Sequence, residues 1–301
     1  MLLGLTALGL AARASRLVAA PSATRRVETP LGPVEIPAEP RRVIAVDSRV
    51  SLESALALDL PIVGYSHSRA RPWIPVPAGV PFLAAPPDLE QILALKPDLI
   101  LCPDTAPYSD WWPLARLPRI APVLPSDHRL SWQENLSQLG VWLAREGRAA
   151  RRIAGQADLI ADIRARHAAV IDRSVVASLY FDPVKRRALI STAGTGYGQV
   201  MPAQVLRELG GHGISAAHLG PYGELALEAF GDVLGAADAI LLFDFGDGSP
   251  RVLAHETLWQ RLPAVRAGRV QIVADNCTFG SCYTAGYLAA AYDGLYARVG
   301  A

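Results

Sequence analysis

The chain has 301 residues, 51% hydrophobic and 19% charged, with Lys+Arg 29 against Asp+Glu 28 for a formal net charge of +1. This composition excludes a disordered or collagen-like chain, and the balanced charge gives no footing to a nucleic-acid or anionic-membrane partner. The length suffices for two lobes, each burying its own core.

Residues 1–23, MLLGLTALGLAARASRLVAAPSA, open with a short apolar run and end in small residues. This is the layout of an export signal and its cleavage site, with the usual basic leader truncated at the start. The run is too short to span a bilayer. A plain N-terminal helix is the alternative reading. No cysteine follows the run, so a lipoprotein-type anchor is not expected, and export implies a soluble periplasmic protein.

From residue 42 onward, β-like runs alternate with helical spacing. RVIAVDS (42–48) is a buried strand by its β-branched content, and SLESALALDL (51–60) has helical spacing at Leu52, Ala55, Leu56 and Leu60. PIVGYS, KPDLILCPD and RIAPVLPS follow as strands, with DLEQILAL as a helix between them. Such alternation predicts a parallel α/β sheet. Between residues 132 and 171 a proline-free, Ala- and Arg-rich stretch carries Ile153, Leu159, Ile160, Ile163 and Val170 at helical spacing, and Gly147 is expected to break it in two. The α/β pattern then resumes with VVASLYFDP, RALIST, MPAQVLRELGG, AILLFDF and RVQIVADN. The expected organisation is an N-terminal lobe over 24–147, a linking helix over 148–172 and a C-terminal lobe over 173–301.

No catalytic motif stands out: G-x-S-x-G and H-E-x-x-H are both missing from the sequence. The loop STAGTGYGQ (191–199) lacks the Lys-Ser/Thr of a P-loop and the G-x-G-x-x-G spacing of a dinucleotide fold, so it reads as a tight turn. The six histidines, His67 and His128 among them, are scattered, and no metal cluster is expected. Arg69, Arg71 and Trp73 follow one strand end, while Tyr108, Trp111 and Trp112 follow the next. That rim of an open α/β sheet is where ligands bind, and it suggests a mixed cationic and aromatic pocket. Glu53 and Glu228 occupy matching places in the two halves.

The segments PRRVIAVDSRVSLESALALDLPIVGYS, DLEQILALKPDLILCPD and LWQRLPAVRAGRVQIV resemble the iron-siderophore periplasmic binding proteins of ABC importers, most closely the ferric-hydroxamate type. The likeness runs from about residue 30 to the C-terminus. It implies two Rossmann-like α/β lobes joined by one long rigid helix (class III, helical-backbone type), with a ligand in a shallow cleft. The resemblance assigns Arg71 to the chelate oxygens, and Trp73, Tyr108, Trp111, Tyr222, Phe279 and Tyr283 to the ligand-facing wall. Glu53 and Glu228 match the acids that dock onto a permease dimer in the inner membrane.

It further implies a monomer with no catalytic step, no protein-bound metal and no cofactor, in which iron travels only as the ferric siderophore. Vitamin B12 or heme, and less strongly a free metal ion, are the alternative ligands, and reduction of the bound chelate by the cysteines is the enzymatic alternative. Periplasmic export also favours a disulfide between Cys277 and Cys282, leaving Cys102 unpaired.

Overall fold

The computed structural model describes residues 23–104, 109–193 and 199–301. The export-like segment to residue 22, Tyr108 and most of the glycine-rich loop lie outside the described residues.

The chain begins with an antiparallel hairpin, β1 (Thr24–Thr29) and β2 (Gly32–Pro37), paired from Thr24↔Pro37 to Thr29↔Gly32. The first lobe follows as β3 (Val43–Ala45), α1 (Val50–Ala57), β4 (Ile62–Tyr65), α2 (Leu89–Ala94), β5 (Leu99–Pro103) and β6 (Val123–Ser126). Its four strands form a parallel sheet in the order β4-β3-β5-β6. Every residue of β3 and β5 is buried, as expected of strands covered on both faces.

Two helices then leave the lobe. α3 (Trp132–Trp142) starts with a capping box in which Ser131 and Glu134 satisfy each other's backbone N–H. Its last tryptophan fastens the hairpin, with Trp142 Nε1 donating to the Glu28 carbonyl at 2.8 Å. α4 (Glu146–Ile171) has 26 residues, about 39 Å at 1.5 Å per residue. The break between the two lies at residues 143–145, with Ala144 at φ 53°, rather than at Gly147, which sits in the first turn of α4. Ala149, Gln156, Ile160, Ile163 and Ile171 form its buried stripe at helical spacing.

The second lobe comprises β7 (Val175–Asp182), β8 (Arg187–Ile190), α5 (Met201–Glu208), β9 (His212–Gly213), β10 (Glu224–Ala226), α6 (Phe230–Leu234) and β11 (Ala239–Asp244). Three short helices follow, α7 (Ser249–Ala254), α8 (Thr257–Gln260) and α9 (Pro263–Arg266), then β12 (Val270–Ala274) and the long α10 (Cys282–Gly300). The sheet order is β10-β8-β7-β11-β12, with β9 beside β7. It is mixed, not wholly parallel as the alternation suggests: β7, β11 and β12 run parallel, whereas β8 is antiparallel to both β7 and β10. The cause is local. Asp182 accepts from Val184 N and Lys185 N and folds β7 straight back into β8, so no crossover helix is needed.

The largest hydrophobic core runs through both lobes, joining Leu52, Leu99 and Leu136 on one side to Val205, Leu288, Tyr292 and Tyr296 on the other. α10 is the element that carries it across, packing on α4, α5 and α1. Two packed helices and a shared core hold the lobes more firmly than flexible strands would.

Candidate functional site

A cavity of about 250 Å³ opens where Arg49 of the first lobe faces the second lobe, beside strands β7, β8 and β11. Its walls are mostly aromatic and aliphatic: Tyr180, Tyr222, Phe243, Phe245, Phe279, Leu189, Ile190 and Val200. Arg49, Ser191, Asn276 and Thr278 add polar groups.

Arg49 precedes α1 in the turn after β3, and its Nε donates to Asp47 Oδ1 at 2.9 Å. The guanidinium lies 5.1 Å from the Phe279 ring centroid and 5.6 Å from that of Trp112, a cation between two aromatic faces. Asp47 is fully buried and also accepts from Val50 N at 3.0 Å. Burial pushes its carboxyl upward, but the Arg49 guanidinium, with His128 and His67 behind it, outweighs that cost and holds it well below the usual range. Asp47 therefore stays ionised and neutralises Arg49 in the interior.

Two histidines pack behind this wall. His128 stacks on Phe279 at 4.3 Å and approaches Asp47 Oδ2 to 3.5 Å. His67 stacks on Trp112 at 5.0 Å, and burial, with Arg49 adding to it, pushes its imidazole down to about 4. Its neutral form therefore prevails at pH 7. On the opposite wall the Tyr180 and Phe245 rings lie parallel, 4.2 Å apart.

Of the residues expected from sequence, Tyr222 and Phe279 line this cavity. Trp111, 45% exposed, stands edge-on to His67 at 5.7 Å on the first-lobe side, with Trp112 buried beneath. Tyr108 lies outside the described residues.

Arg71 and Trp73 do not face the cavity. Arg71 is 3% exposed, between Glu53 (3.8 Å) and Asp275 (3.9 Å). Trp73 stacks on Tyr287 of α10 at 3.8 Å and donates from Nε1 to Thr284 Oγ1 at 3.1 Å. Trp73 thereby fastens the first lobe to α10, whereas Arg71 links Glu53 to Asp275 in the loop that follows β12. Tyr283 also turns away from the cavity, half-buried with Arg152 5.7 Å from its ring.

Glu53 requires the largest correction. It is 0% exposed, since every residue of α1 is buried, so it is no surface acid for docking. Its Oε2 accepts from Ser281 N (2.8 Å) and Thr284 N (2.9 Å), and its Oε1 from Thr284 Oγ1 (2.5 Å). A carboxylate from the first lobe thus caps the helix that starts in the second. Burial raises its pKa above the usual value despite Arg71 and these donors. Gly280 is needed at this joint, where a Cβ would meet Thr284 Cβ at 2.5 Å and Glu53 Oε1 at 2.9 Å. Glu228 does lie on the surface, in a short turn over Leu227–Ala229.

Cys277 and Cys282 are separate thiols, as is Cys102. The intervening residues are committed elsewhere: Phe279 goes to the cavity wall, and Ser281 binds Glu53 through its backbone. Burial pushes both the Cys277 and the Cys282 thiol up to about 12, which leaves them unreactive as nucleophiles at neutral pH. Among the described residues no group of three or more His, Cys, Asp or Glu side chains is placed to hold a metal ion.

Arg49, Tyr180 and Phe245 line the cavity and His67 and His128 pack behind it against Asp47, and none of these places was read from the sequence. Arg49 had a usable signal, since VDSRV puts it directly after a strand end, the same logic that singled out Arg71. The histidines had none, because their partner Asp47 is remote from His128 in sequence.

The architecture is mixed α/β, with one sheet in each lobe, an N-terminal hairpin and a long bridging helix. Residues 51–276 match the periplasmic binding protein family, and the chain belongs to it: a substrate-binding protein and not an enzyme. Among solved structures, a periplasmic solute binding protein from Mycobacterium smegmatis is 18% identical, with a TM-score of 0.74 over 92% of this chain and 98% of that one. The siderophore binding protein FhuD from Vibrio cholerae, solved with Fe3+-Desferal, is 25% identical, with a TM-score of 0.70 over 86% of this chain and 98% of that one. SirA from Staphylococcus aureus, solved with staphyloferrin B, is 20% identical, with a TM-score of 0.70 over 92% and 99%. No curated protein sequence matches the chain significantly. Among the described residues no helix is long and apolar enough to cross a membrane.

Proposed function

We propose that this protein captures a ferric siderophore of the hydroxamate class between its lobes, in the periplasm, and delivers it to an inner-membrane ABC permease. The observation that carries this reading is the aromatic inter-lobe cavity whose lining guanidinium, Arg49, is already matched by the buried Asp47. That pair is close to neutral, so the cation is not free to draw in a highly charged anion, which suits a ferric trishydroxamate, a roughly neutral chelate with an apolar skirt. A multiply anionic chelate would need unmatched cations at its oxygens.

In this reading the Arg49 Nη groups donate to the chelate oxygens, while Phe279, Tyr222, Tyr180 and Phe245 cover the skirt. Iron enters as cargo, fully ligated by the siderophore. Glu228 is the acid offered to the permease from the second lobe.

The experiment is a fluorescence titration with ferrichrome and ferrioxamine B, since Trp111 and Trp112 flank the cleft and a bound ferric chelate quenches them. Saturable quenching at roughly 0.1–1 µM, about −8 to −10 kcal/mol, is expected. No quenching by any ferric hydroxamate would refute the ligand class, and a Soret band on adding hemin instead would point to heme.

A further inference from the structure

The two walls of the cavity differ in charge. On the first-lobe side Arg49 and Asp47 cancel. On the second-lobe side the Tyr180 hydroxyl donates to Asp247 Oδ2 at 2.7 Å, directly behind the ring that stacks on Phe245. Tyr180, Phe245 and Tyr222 all line the cavity, and Phe245 and Tyr222 remain 36% and 49% exposed.

Asp247 stands in the exposed turn after β11, its carboxylate fixed by Tyr180 and by Ser249 N at 3.0 Å. Asp244, three residues earlier, accepts from Gly246 N at 2.9 Å. Lys185 is spent on Asp182 at 3.9 Å, and Arg251 lies against Gly248 without pairing to either carboxylate. Partial burial acts upward on the Asp247 pKa, but the hydrogen bonds from Ser249 and Tyr180 outweigh it and keep the group ionised at neutral pH.

Aromatic faces backed by an uncompensated carboxylate are the chemistry that holds an organic ammonium: the ring quadrupoles and the carboxylate attract it together. A neutral end group gains neither attraction, and an anionic one is repelled. We propose that the wall formed by Tyr180, Tyr222 and Phe245, with Asp247 hydrogen-bonded behind Tyr180, is a subsite for a primary ammonium arm carried by the ferric chelate. This inference rests on the ferric-hydroxamate reading above. The iron core sits toward Arg49, and the charged arm runs across the cavity to the second-lobe wall.

The test compares ferrioxamine B, which ends in a free ammonium, with its N-acetylated derivative, which has the same iron core and backbone without the charge. Both are titrated into the protein and followed by tryptophan fluorescence. The ammonium form is expected to bind about tenfold more tightly at low ionic strength. The preference should shrink to within about threefold at about 0.5 M salt, where the Debye length falls below about 5 Å. In Asp247→Asn, which keeps the Ser249 contact, the two chelates should bind alike, and a preference that persists there would overturn the assignment to this wall. Equal affinities in the wild type would overturn the subsite and leave the hydroxamate reading intact. Binding of neither chelate would overturn that reading, and the subsite with it.

Discussion

Replacing Glu53 by alanine should destabilise the whole molecule, because this carboxylate is the joint between the lobes. It accepts three hydrogen bonds, from Ser281 N, Thr284 N and Thr284 Oγ1, and faces the Arg71 guanidinium at 3.8 Å. Hydrogen bonds to a charged acceptor contribute about 1.5–3 kcal/mol each, and breaking a buried ionic group by removing one partner costs about 3–5 kcal/mol. Desolvation of the carboxylate offsets part of this, so a net loss of about 4 kcal/mol is expected. Urea unfolding should show a lower midpoint with an unchanged slope, and Tm should fall by roughly 8–12 °C.

Glu53→Gln resembles the protonated carboxyl that burial favours, so it should cost less, about 1–2 kcal/mol. Arg71→Met should destabilise in its own right, yet combined with Glu53→Ala it should add less than the sum of the two, since they share one interaction. Were Glu53 an exposed docking acid, Glu53→Ala would stay within about 0.5 kcal/mol of the wild type. That outcome would refute the joint.

Four further expectations follow from the same geometry. All three cysteines should titrate as thiols in denaturant and react slowly in the native state, whereas a Cys277–Cys282 bridge would leave a single thiol. His67 is depressed from 6.5 to about 4, so the unfolded chain binds a proton that the folded one does not; stability should fall as pH drops from about 6.5 to about 4, by about 1–2 kcal/mol after allowing for partial exposure, and His67→Asn should flatten that slope. Arg49→Met should strand the buried Asp47 charge and raise its pKa, and adding Asp47→Asn should recover at least about 1 kcal/mol in a denaturant melt. Trp73→Phe should lower stability by about 1 kcal/mol through the lost bond to Thr284 while leaving siderophore affinity within about twofold, whereas Phe279→Ala should weaken binding about tenfold in the same titration.

The buried strands were legible because their β-branched and leucine runs are continuous, and the long helix because Ile160 and Ile163 keep helical spacing without a proline. The hairpin β1–β2 escaped notice since TRRVET holds one apolar residue and GPVEIP is bounded by prolines, and their anchoring by Trp142 is over a hundred residues away in sequence. The position of Glu53 was illegible for a similar reason. SLES reads as an exposed helix face, but Ser51 pairs with Ser126, Ser54 with Ser281 and Glu53 with Thr284, contacts separated by 75, 227 and 231 residues. Polar side chains satisfied by such distant partners look solvated in a one-dimensional pattern. Arg71 failed differently: a place after a strand end sets the rim correctly but not the side toward which the side chain turns, and a buried carboxylate decided that.

Under the proposed function Arg49, not Arg71, is the guanidinium that meets the chelate. Isothermal titration of a ferric hydroxamate into the wild type, Arg49→Gln and Arg71→Gln tests it most directly, with folding of each variant verified by thermal melting. Arg49→Gln is expected to lose affinity by about tenfold or more, while folded Arg71→Gln binds within about twofold of the wild type but melts earlier. Unchanged binding in Arg49→Gln together with lost binding in a folded Arg71→Gln would contradict it.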